Sequence, residues 1–166
     1  MSARKSNPLS QDILSFKNGE LYFDNVSVQK LTSERQTPFF LMSANRLMSN
    51  YNRIEQAFSK YHRSRVYYSV KTNYNLHVLK VLQKAGSGAE VCSGMELYLA
   101  KQAGFKADDI VMDGACWTDE ELKEAITSEI AMLNIDSKVM LNKVVSIAKI
   151  LKTIPKVSFR INPHIK

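Results

Sequence analysis

The sequence contains little cysteine and little histidine, and this scarcity excludes several kinds of site. Only two cysteines occur in 166 residues, Cys92 and Cys116, which are too few for a disulfide framework and match no metal-binding spacing. The three histidines, His62, His77 and His164, include no zinc-type pair. We therefore expect neither a disulfide-rich fold nor a metal site.

Long apolar runs and one-sided charge tracts are also missing. No stretch of about 18 apolar residues occurs, so we expect no membrane span. The first dozen residues, MSARKSNPLSQD, lack the apolar core of a signal peptide, which favours a flexible leader and a cytoplasmic protein. The formal net charge is +7, but the basic residues are spread along the chain, so nucleic acid is not an expected partner. With 45% hydrophobic and 23% charged residues, the composition is that of a globular protein.

The N-terminal part predicts a hairpin followed by a strand and a helix. Residues 16–29, FKNGELYFDNVSVQ, are typical of a short hairpin whose turn is Asn18-Gly19. TPFFLMS then predicts a strand entered through Pro38, and Ser43 is placed to cap a helix. That helix has one apolar stripe, formed by Leu47, Tyr51, Ile54 and Phe58.

From residue 66 a strand–helix unit recurs. Strand-like segments begin near residues 66, 89, 109, 130 and 156, namely VYYSVK, AEVCS, DIVMDG, IAMLNID and KVSFRIN. Each gap holds one amphipathic helix, which predicts parallel strands covered by helices. Two architectures satisfy this pattern, an open doubly wound sheet and a (β/α)8 TIM-like barrel. No GxGxxG turn follows any strand and the period is short and even, which favours the barrel. About five barrel strands are present where closure needs eight, so we interpret the chain as an incomplete N-terminal part of a longer protein.

The intervening helices carry clear start and packing signals. Thr118 and Glu121 form a capping-box pattern, in which the hydroxyl and the carboxylate each satisfy a backbone N–H group. The first helix of the repeating part is expected to bury Val78, Leu79 and Leu82. The last helix carries Leu141, Val144, Val145, Ala148 and Leu151 on one face.

Polar residues cluster at the C-terminal ends of the predicted strands, where barrel enzymes hold their catalytic groups. These residues are Lys71, Asn73, Glu90, Ser93, Glu96, Asp113, Asp136, Arg160 and Asn162. A lone lysine among acids is either a Schiff-base amine or a member of a structural ion pair. The amine serves as a nucleophile when its surroundings lower its pKa, or when it is exchanged onto an aldehyde cofactor.

The segment VYYSVKTNYNLHVLKVLQKAGSGAEVCSGMEL resembles the first half of the barrel in fold-type III pyridoxal-phosphate decarboxylases. That family reads Y-A-V-K-A-N, then N-x-x-V-L, then G-x-D-V-x-S-x-x-E-L. NGELYFDNVSVQKLTSERQTPFFLMSANRL is similar to the family's lead-in, and AGFKADDIVMDGACWTDEELKEAI, LNIDS and SFRINP follow in the family's order. The diaminopimelate decarboxylase branch is the most similar, with ornithine and arginine decarboxylases further off. The resemblance covers roughly residues 17–164, in family order, which is more specific than any single motif.

The resemblance assigns roles residue by residue. Lys71 matches the lysine that holds pyridoxal 5'-phosphate (PLP) as an internal aldimine, and it is the expected catalytic residue. Glu90 matches a family aspartate close to the cofactor, and Arg160 matches the arginine that ends the fifth strand. These two side chains either pair around the cofactor ring or form a plain structural salt bridge. Asn73 matches the K-x-N asparagine, while Ser93 is a candidate cofactor contact that can equally cap the following helix.

Two further positions depart from a purely catalytic interpretation. Glu96 matches the glutamate of the S-x-x-E segment, and helix capping is as good an explanation for it. Trp117 stands where many relatives have lysine, so a contact of that lysine is lost or replaced.

The fold implied is the alanine racemase type of (β/α)8 barrel. Residues 1–15 would be a flexible leader, 16–43 lead-in strands that join a C-terminal β-domain, and 44–166 the partial PLP-binding barrel. The activity implied is decarboxylation of a small amino acid, foremost meso-diaminopimelate to L-lysine, through an external aldimine and in a homodimer of the full-length form.

Other interpretations remain open. Another fold-type III enzyme is compatible with these residues: an ornithine, arginine, siderophore or carrier-bound amino-acid decarboxylase, or a racemase. A non-catalytic truncated remnant is compatible as well. We expect the 166-residue chain alone to bind PLP weakly and to turn over nothing measurable, because the family's remaining site residues lie downstream.

Overall fold

The computed structural model describes residues 13–61 and 64–163, and the chain divides into two compact units, residues 1–50 and 51–166. None of the helices in these described ranges is long and apolar enough to cross a membrane.

The first unit contains a small antiparallel sheet. Strands β1 (Leu14–Lys17), β2 (Glu20–Phe23) and β3 (Val26–Ser27) lie side by side in this order. Asn18 and Gly19 form the turn between the first two strands, both with positive φ, as a tight hairpin of this type requires. The predicted hairpin is therefore confirmed, but its first strand begins at Leu14, which the prediction assigned to the flexible leader, most of which lies outside the described residues. A short helix, α1 (Val28–Ser33), follows β3.

The strand predicted for TPFFLMS is wrong. Residues 37–43 have no regular structure, and the side chain of Phe40 is fully exposed. A strand needs a neighbour for its backbone groups, and in the described part of this unit the sheet ends with β3. The helix start was predicted correctly, because the Ser43 hydroxyl accepts a hydrogen bond from Arg46 N at 2.9 Å where α2 (Ala44–Phe58) begins.

The second unit is a regular alternation of strands and helices. All five of its strands are parallel and pair in sequence order, which confirms the five predicted positions. The elements are β4 (Tyr67–Ser69), α3 (Leu76–Lys84), β5 (Gly88–Val91), α4 (Gly94–Ala103), β6 (Ile110–Asp113), α5 (Asp119–Thr127), β7 (Met132–Ile135), α6 (Lys138–Leu151) and β8 (Val157–Phe159).

One face of this sheet is apolar, and the other, the polar face, carries most of the sheet's polar side chains together with Val111 and Met132. Alternate strand residues such as Val91, Met112 and Leu133 are buried in the same core cluster as residues of α3 to α6. The residues between them in the chain point to the opposite face, which carries Ser69, Glu90, Asp113, Asn134 and Ser158. Four helices therefore cover a single face of a sheet whose strands follow one another in order. This arrangement is part of a (β/α)8 barrel and differs from a doubly wound sheet, which has helices on both faces.

The face that α6 buries agrees in part with the predicted stripe. Val144 is buried and Leu141 and Leu151 pack against the core, whereas Val145 is 42% exposed and lines an apolar groove beside β8. Met140 and Ile147, which lie outside the predicted stripe, are buried as well.

The capping box at the start of α5 is confirmed. Glu121 N donates to the Thr118 hydroxyl at 3.1 Å, and Thr118 N donates to the Glu121 carboxylate at 2.9 Å. This cap fixes the first turn of a helix whose Leu122 is completely buried.

Truncation of Leu122 to Ala is expected to lower the free energy of unfolding by about 2–5 kcal/mol, because it removes buried methyl groups and leaves a cavity. Urea unfolding followed by circular dichroism measures this change. Val139→Ala is the matched control, since its side chain is 78% exposed on α6, and it should change the free energy by no more than about 0.5 kcal/mol. Equal losses in the two variants would contradict the core described above.

Candidate active site

Lys71 lies in a turn that directly follows β4, and not in the strand itself. The strand ends at Ser69, and Val70–Thr72 forms one turn of 3-10 helix. Val70 is completely buried, so it anchors the turn in the core while the Lys71 side chain is exposed. The sequence placed the lysine at the correct edge of the sheet but assigned it to the wrong local conformation.

The Lys71 amine lies among groups from two neighbouring strands. The Cys92 sulfur, the Glu90 carboxylate and the Asp113 carboxylate raise the pKa of the lysine above its ordinary value. The Cys92 thiol donates a hydrogen bond to Glu90 Oε1 at 3.3 Å. Burial of the thiol and its bond to the carboxylate raise the pKa of Cys92 to about 11, so the thiol is protonated at neutral pH.

The amine of Lys71 could become a nucleophile through a lowered pKa or by exchange onto an aldehyde, and these surroundings bear on the choice. Cys92, Glu90 and Asp113 raise the pKa of Lys71, so the surroundings favour its ammonium form and do not activate the free amine. Exchange of the amine onto an aldehyde is the other route.

Arg160 pairs with a different acid from the one predicted. Its guanidinium lies 3.6 Å from Asp113 Oδ1, so the expected pair with Glu90 is corrected. The reason is the register of the sheet, which places Asp113 level with Asn134 and Ser158, the latter two residues before Arg160. Arg160 is largely exposed at this edge, with 65% of its side-chain surface accessible.

Ser93 caps the helix that follows β5, whereas Asn73 ends the turn after β4 and lies two residues before Asn75, which caps α3. Asn73 Oδ1 accepts from Asn75 N at 3.0 Å, and the Ser93 hydroxyl accepts from Glu96 N at 3.3 Å. The Glu96 carboxylate in turn accepts from Cys92 N at 2.9 Å. The capping role considered for Ser93 and Glu96 is therefore present, and their contact with a cofactor stays a prediction.

Trp117 fixes the turn between β5 and α4. Its indole Nε1–H donates to the Cys92 carbonyl at 3.2 Å, and the side chain is only 3% exposed. The Glu121 carboxylate accepts from Gly94 N at 2.8 Å in the same turn. A side chain at Gly94 would collide with Glu121, and one at Gly114 would collide with Trp117. The turn that carries Cys92 is thus held from the next strand–helix unit, and the tryptophan has a structural role.

Ser69 lies on the polar face of the sheet and was not among the site residues predicted from the sequence. Its hydroxyl oxygen is buried and has no hydrogen-bond partner among the described residues. The available signal was the serine in YYSVKTN, since the family pattern Y-A-V-K-A-N has alanine at this position.

The chain is similar in sequence to known pyridoxal-dependent decarboxylases. The family model of the pyridoxal-dependent decarboxylases, pyridoxal-binding domain, matches residues 45–166. Diaminopimelate decarboxylase of Aquifex aeolicus is 36% identical over 152 residues, which cover 92% of this chain and 36% of the relative. The enzyme of Methanocaldococcus jannaschii is 35% identical over 162 residues, covering 95% and 37% respectively.

Solved structures agree with these matches. The crystal structure of diaminopimelate decarboxylase from M. jannaschii in complex with L-lysine superposes with a TM-score of 0.88 at 34% identity, over 93% of this chain and 37% of that one. Lysine decarboxylase from Selenomonas ruminantium superposes with a TM-score of 0.73 at 22% identity, which speaks for the fold alone. The chain spans a little over a third of the length of these relatives.

Replacement of Glu90 by Gln is expected to shift the pH profile of Lys71 methylation to lower pH. The change removes one of the charges that raise the pKa of the amine, and formaldehyde with cyanoborohydride modifies only the unprotonated form. Peptide mass spectrometry across a pH series measures the midpoint. Glu129→Gln, which removes a carboxylate at the opposite end of the strands, should leave the midpoint in place. An unchanged midpoint in both variants would show that Glu90 does not act on Lys71.

Proposed function

The chain belongs to the family of pyridoxal-dependent decarboxylases, of which it carries the pyridoxal-binding domain, and on this premise we propose that it serves the decarboxylation of meso-diaminopimelate to L-lysine. The observation that carries the proposal is the Lys71 amine, held beside Cys92, Glu90 and Asp113 at the C-terminal edge of parallel strands. The choice of substrate is supported by relatives 34–36% identical that bear the name diaminopimelate decarboxylase.

The described residues fit PLP on chemical grounds. Lys71 supplies a primary amine for the aldehyde, and Arg160 supplies an exposed cation at the same edge of the sheet. Ser69 supplies a buried hydroxyl without a protein partner in the described part of the chain. An amine, a guanidinium and a free hydroxyl on one polar face match an anionic aromatic aldehyde.

The predicted site residues would have different roles toward the cofactor. Lys71 would hold PLP covalently through Nζ, and Glu90, Arg160, Asn73 and Ser93 would surround or position it. When bound, PLP accepts the electron pair released as the bond between Cα and the carboxylate breaks.

Proton handling would fall to Lys71. Because nearby carboxylates favour its ammonium form, the amine holds a proton at neutral pH and can return it to carbon. Cys92 stays protonated and donates to Glu90, so the thiol does not compete with the amine as a nucleophile.

The predicted organisation of the longer protein belongs to the same proposal. Residues 16–43 would join a C-terminal β-domain, residues 44–166 would form the cofactor-binding half of the barrel, and the complete protein would be a cytoplasmic homodimer. These assignments are supported by the family resemblance.

Lys71→Ala is expected to abolish covalent labelling of this site by PLP. Incubation with PLP followed by borohydride reduction should place a phosphopyridoxyl group on the peptide that contains Lys71, because the Arg160 cation at the same edge of the sheet is expected to attract the anionic aldehyde to this amine. Mass spectrometry of the digested chain measures the labelled fraction. Lys80→Ala is the control, since Lys80 is an exposed lysine on α3, and it should leave Lys71 labelling intact. Labelling spread evenly over the surface lysines would contradict the proposed role.

The same measurement tests the substrate. Addition of meso-diaminopimelate before reduction should lower Lys71 labelling more than equal concentrations of ornithine or arginine. Equal effects of the three amino acids would contradict the choice of diaminopimelate and leave the PLP site standing.

The 166-residue chain by itself is expected to release no measurable CO2 from carboxyl-labelled meso-diaminopimelate. Lys71 and Arg160 are exposed to solvent, and decarboxylation requires a site from which water is excluded. The M. jannaschii relative, assayed in parallel, is the positive control. Turnover by the isolated chain that Lys71→Ala abolishes would contradict this expectation.

A further inference from the structure

Ser69 presents an unsatisfied hydroxyl next to the proposed cofactor lysine. Within the described ranges, its Oγ is the buried side-chain oxygen that lacks a hydrogen-bond partner. Buried polar groups are paired in the large majority of cases, because an unpaired one loses its hydration without compensation. Such an atom in a native fold therefore indicates a strained site, or a group that a bound water or a ligand satisfies.

The position of Ser69 distinguishes between these explanations. Tyr68 and Val70, its chain neighbours, pack toward the core beneath the helices. Ser69 points to the opposite face, where it lies level with Glu90 of β5. Lys71 follows two residues later, in the 3-10 turn that begins where this strand ends. The hydroxyl thus belongs to the polar face that holds the amine, and not to the hydrophobic core.

Other serines in and beside the sheet are satisfied. The Ser87 hydroxyl, buried at the start of β5, donates to the Gly88 carbonyl at 2.7 Å. The Ser158 hydroxyl donates to Asn134 Oδ1 within the polar face. The protein therefore provides partners for the serines around it, and Ser69 differs by lacking one.

We propose that Ser69 is a further cofactor-contacting residue, whose hydroxyl hydrogen-bonds a polar atom of the pyridoxal moiety held at Lys71. This inference rests on the proposed function and extends it to a residue outside the set predicted from the sequence. It assigns the contact to the pyridoxal moiety and not to the phosphate, because Ser69 ends β4 only two residues before the lysine whose amine binds the aldehyde.

The proposal predicts that Ser69→Ala acts in opposite directions on stability and on binding. Removing an unpaired buried hydroxyl should raise the thermal midpoint of the ligand-free chain by about 2–8 °C. Losing a hydrogen bond to the ligand should raise the concentration of PLP that half-saturates borohydride-trapped Lys71 labelling by about threefold to tenfold. Pyridoxal without the phosphate should show the same loss. Differential scanning fluorimetry and peptide mass spectrometry measure these quantities.

Ser87→Ala is the matched control because it removes a buried hydroxyl that has a protein partner. It should lower the thermal midpoint and leave half-saturation unchanged. Unchanged half-saturation in Ser69→Ala would overturn the proposal, as expected if water satisfies the hydroxyl. A loss seen with PLP but not with pyridoxal would also overturn it. Absence of Lys71 labelling in the unaltered chain would instead contradict the proposed function itself. Failure of the Ser69 contact and failure of the proposed function are therefore distinguishable.

Discussion

The parallel pairing of β4 to β8 in sequence order is the constraint on which the rest of the second unit depends. Parallel neighbours need a crossover between them, and each crossover here is a helix that packs on one face of the sheet. The C-terminal ends of these five strands therefore lie at one edge of the sheet. The face without helices is free to carry polar residues. The chemistry of the site follows from this arrangement, since Lys71, Cys92, Asp113 and Arg160 reach that edge from four different strands.

The electrostatics of that edge explain why a lysine there suits a cofactor enzyme. Carboxylates from β5 and β6 favour the charged amine, and Arg160 limits the negative charge around Asp113. A lysine that attacked a substrate unaided would need the opposite environment, one that lowers its pKa. An amine that exchanges onto an aldehyde needs chiefly to be held in position, and the fixed turn at Cys92 supports that requirement.

Features that depend on a local sequence pattern were predicted correctly. Features that depend on contacts between residues far apart in the chain were missed. The hairpin at Asn18-Gly19, the five parallel strands and the Thr118 cap each rest on a few adjacent residues, and all are present. The segment 37–43 failed as a strand because apolar residues alone do not supply a partner strand. The acid that Arg160 contacts is set by strand register, which periodicity does not reveal. Ser69 escaped notice because an unsatisfied hydroxyl becomes visible only once its surroundings are known.

The tie between Trp117 and the Cys92 carbonyl has a consequence for how the protein can be observed. The chain contains a single tryptophan beside seven tyrosines, so fluorescence excited selectively in tryptophan originates from one known place. That indole is buried, and its N–H is bonded to the residue that faces the lysine. Tryptophan emission from the native protein therefore reports on the turn beside the site without any attached dye. An event that loosens this turn, whether ligand entry or local unfolding, alters the environment of the only tryptophan and becomes optically visible.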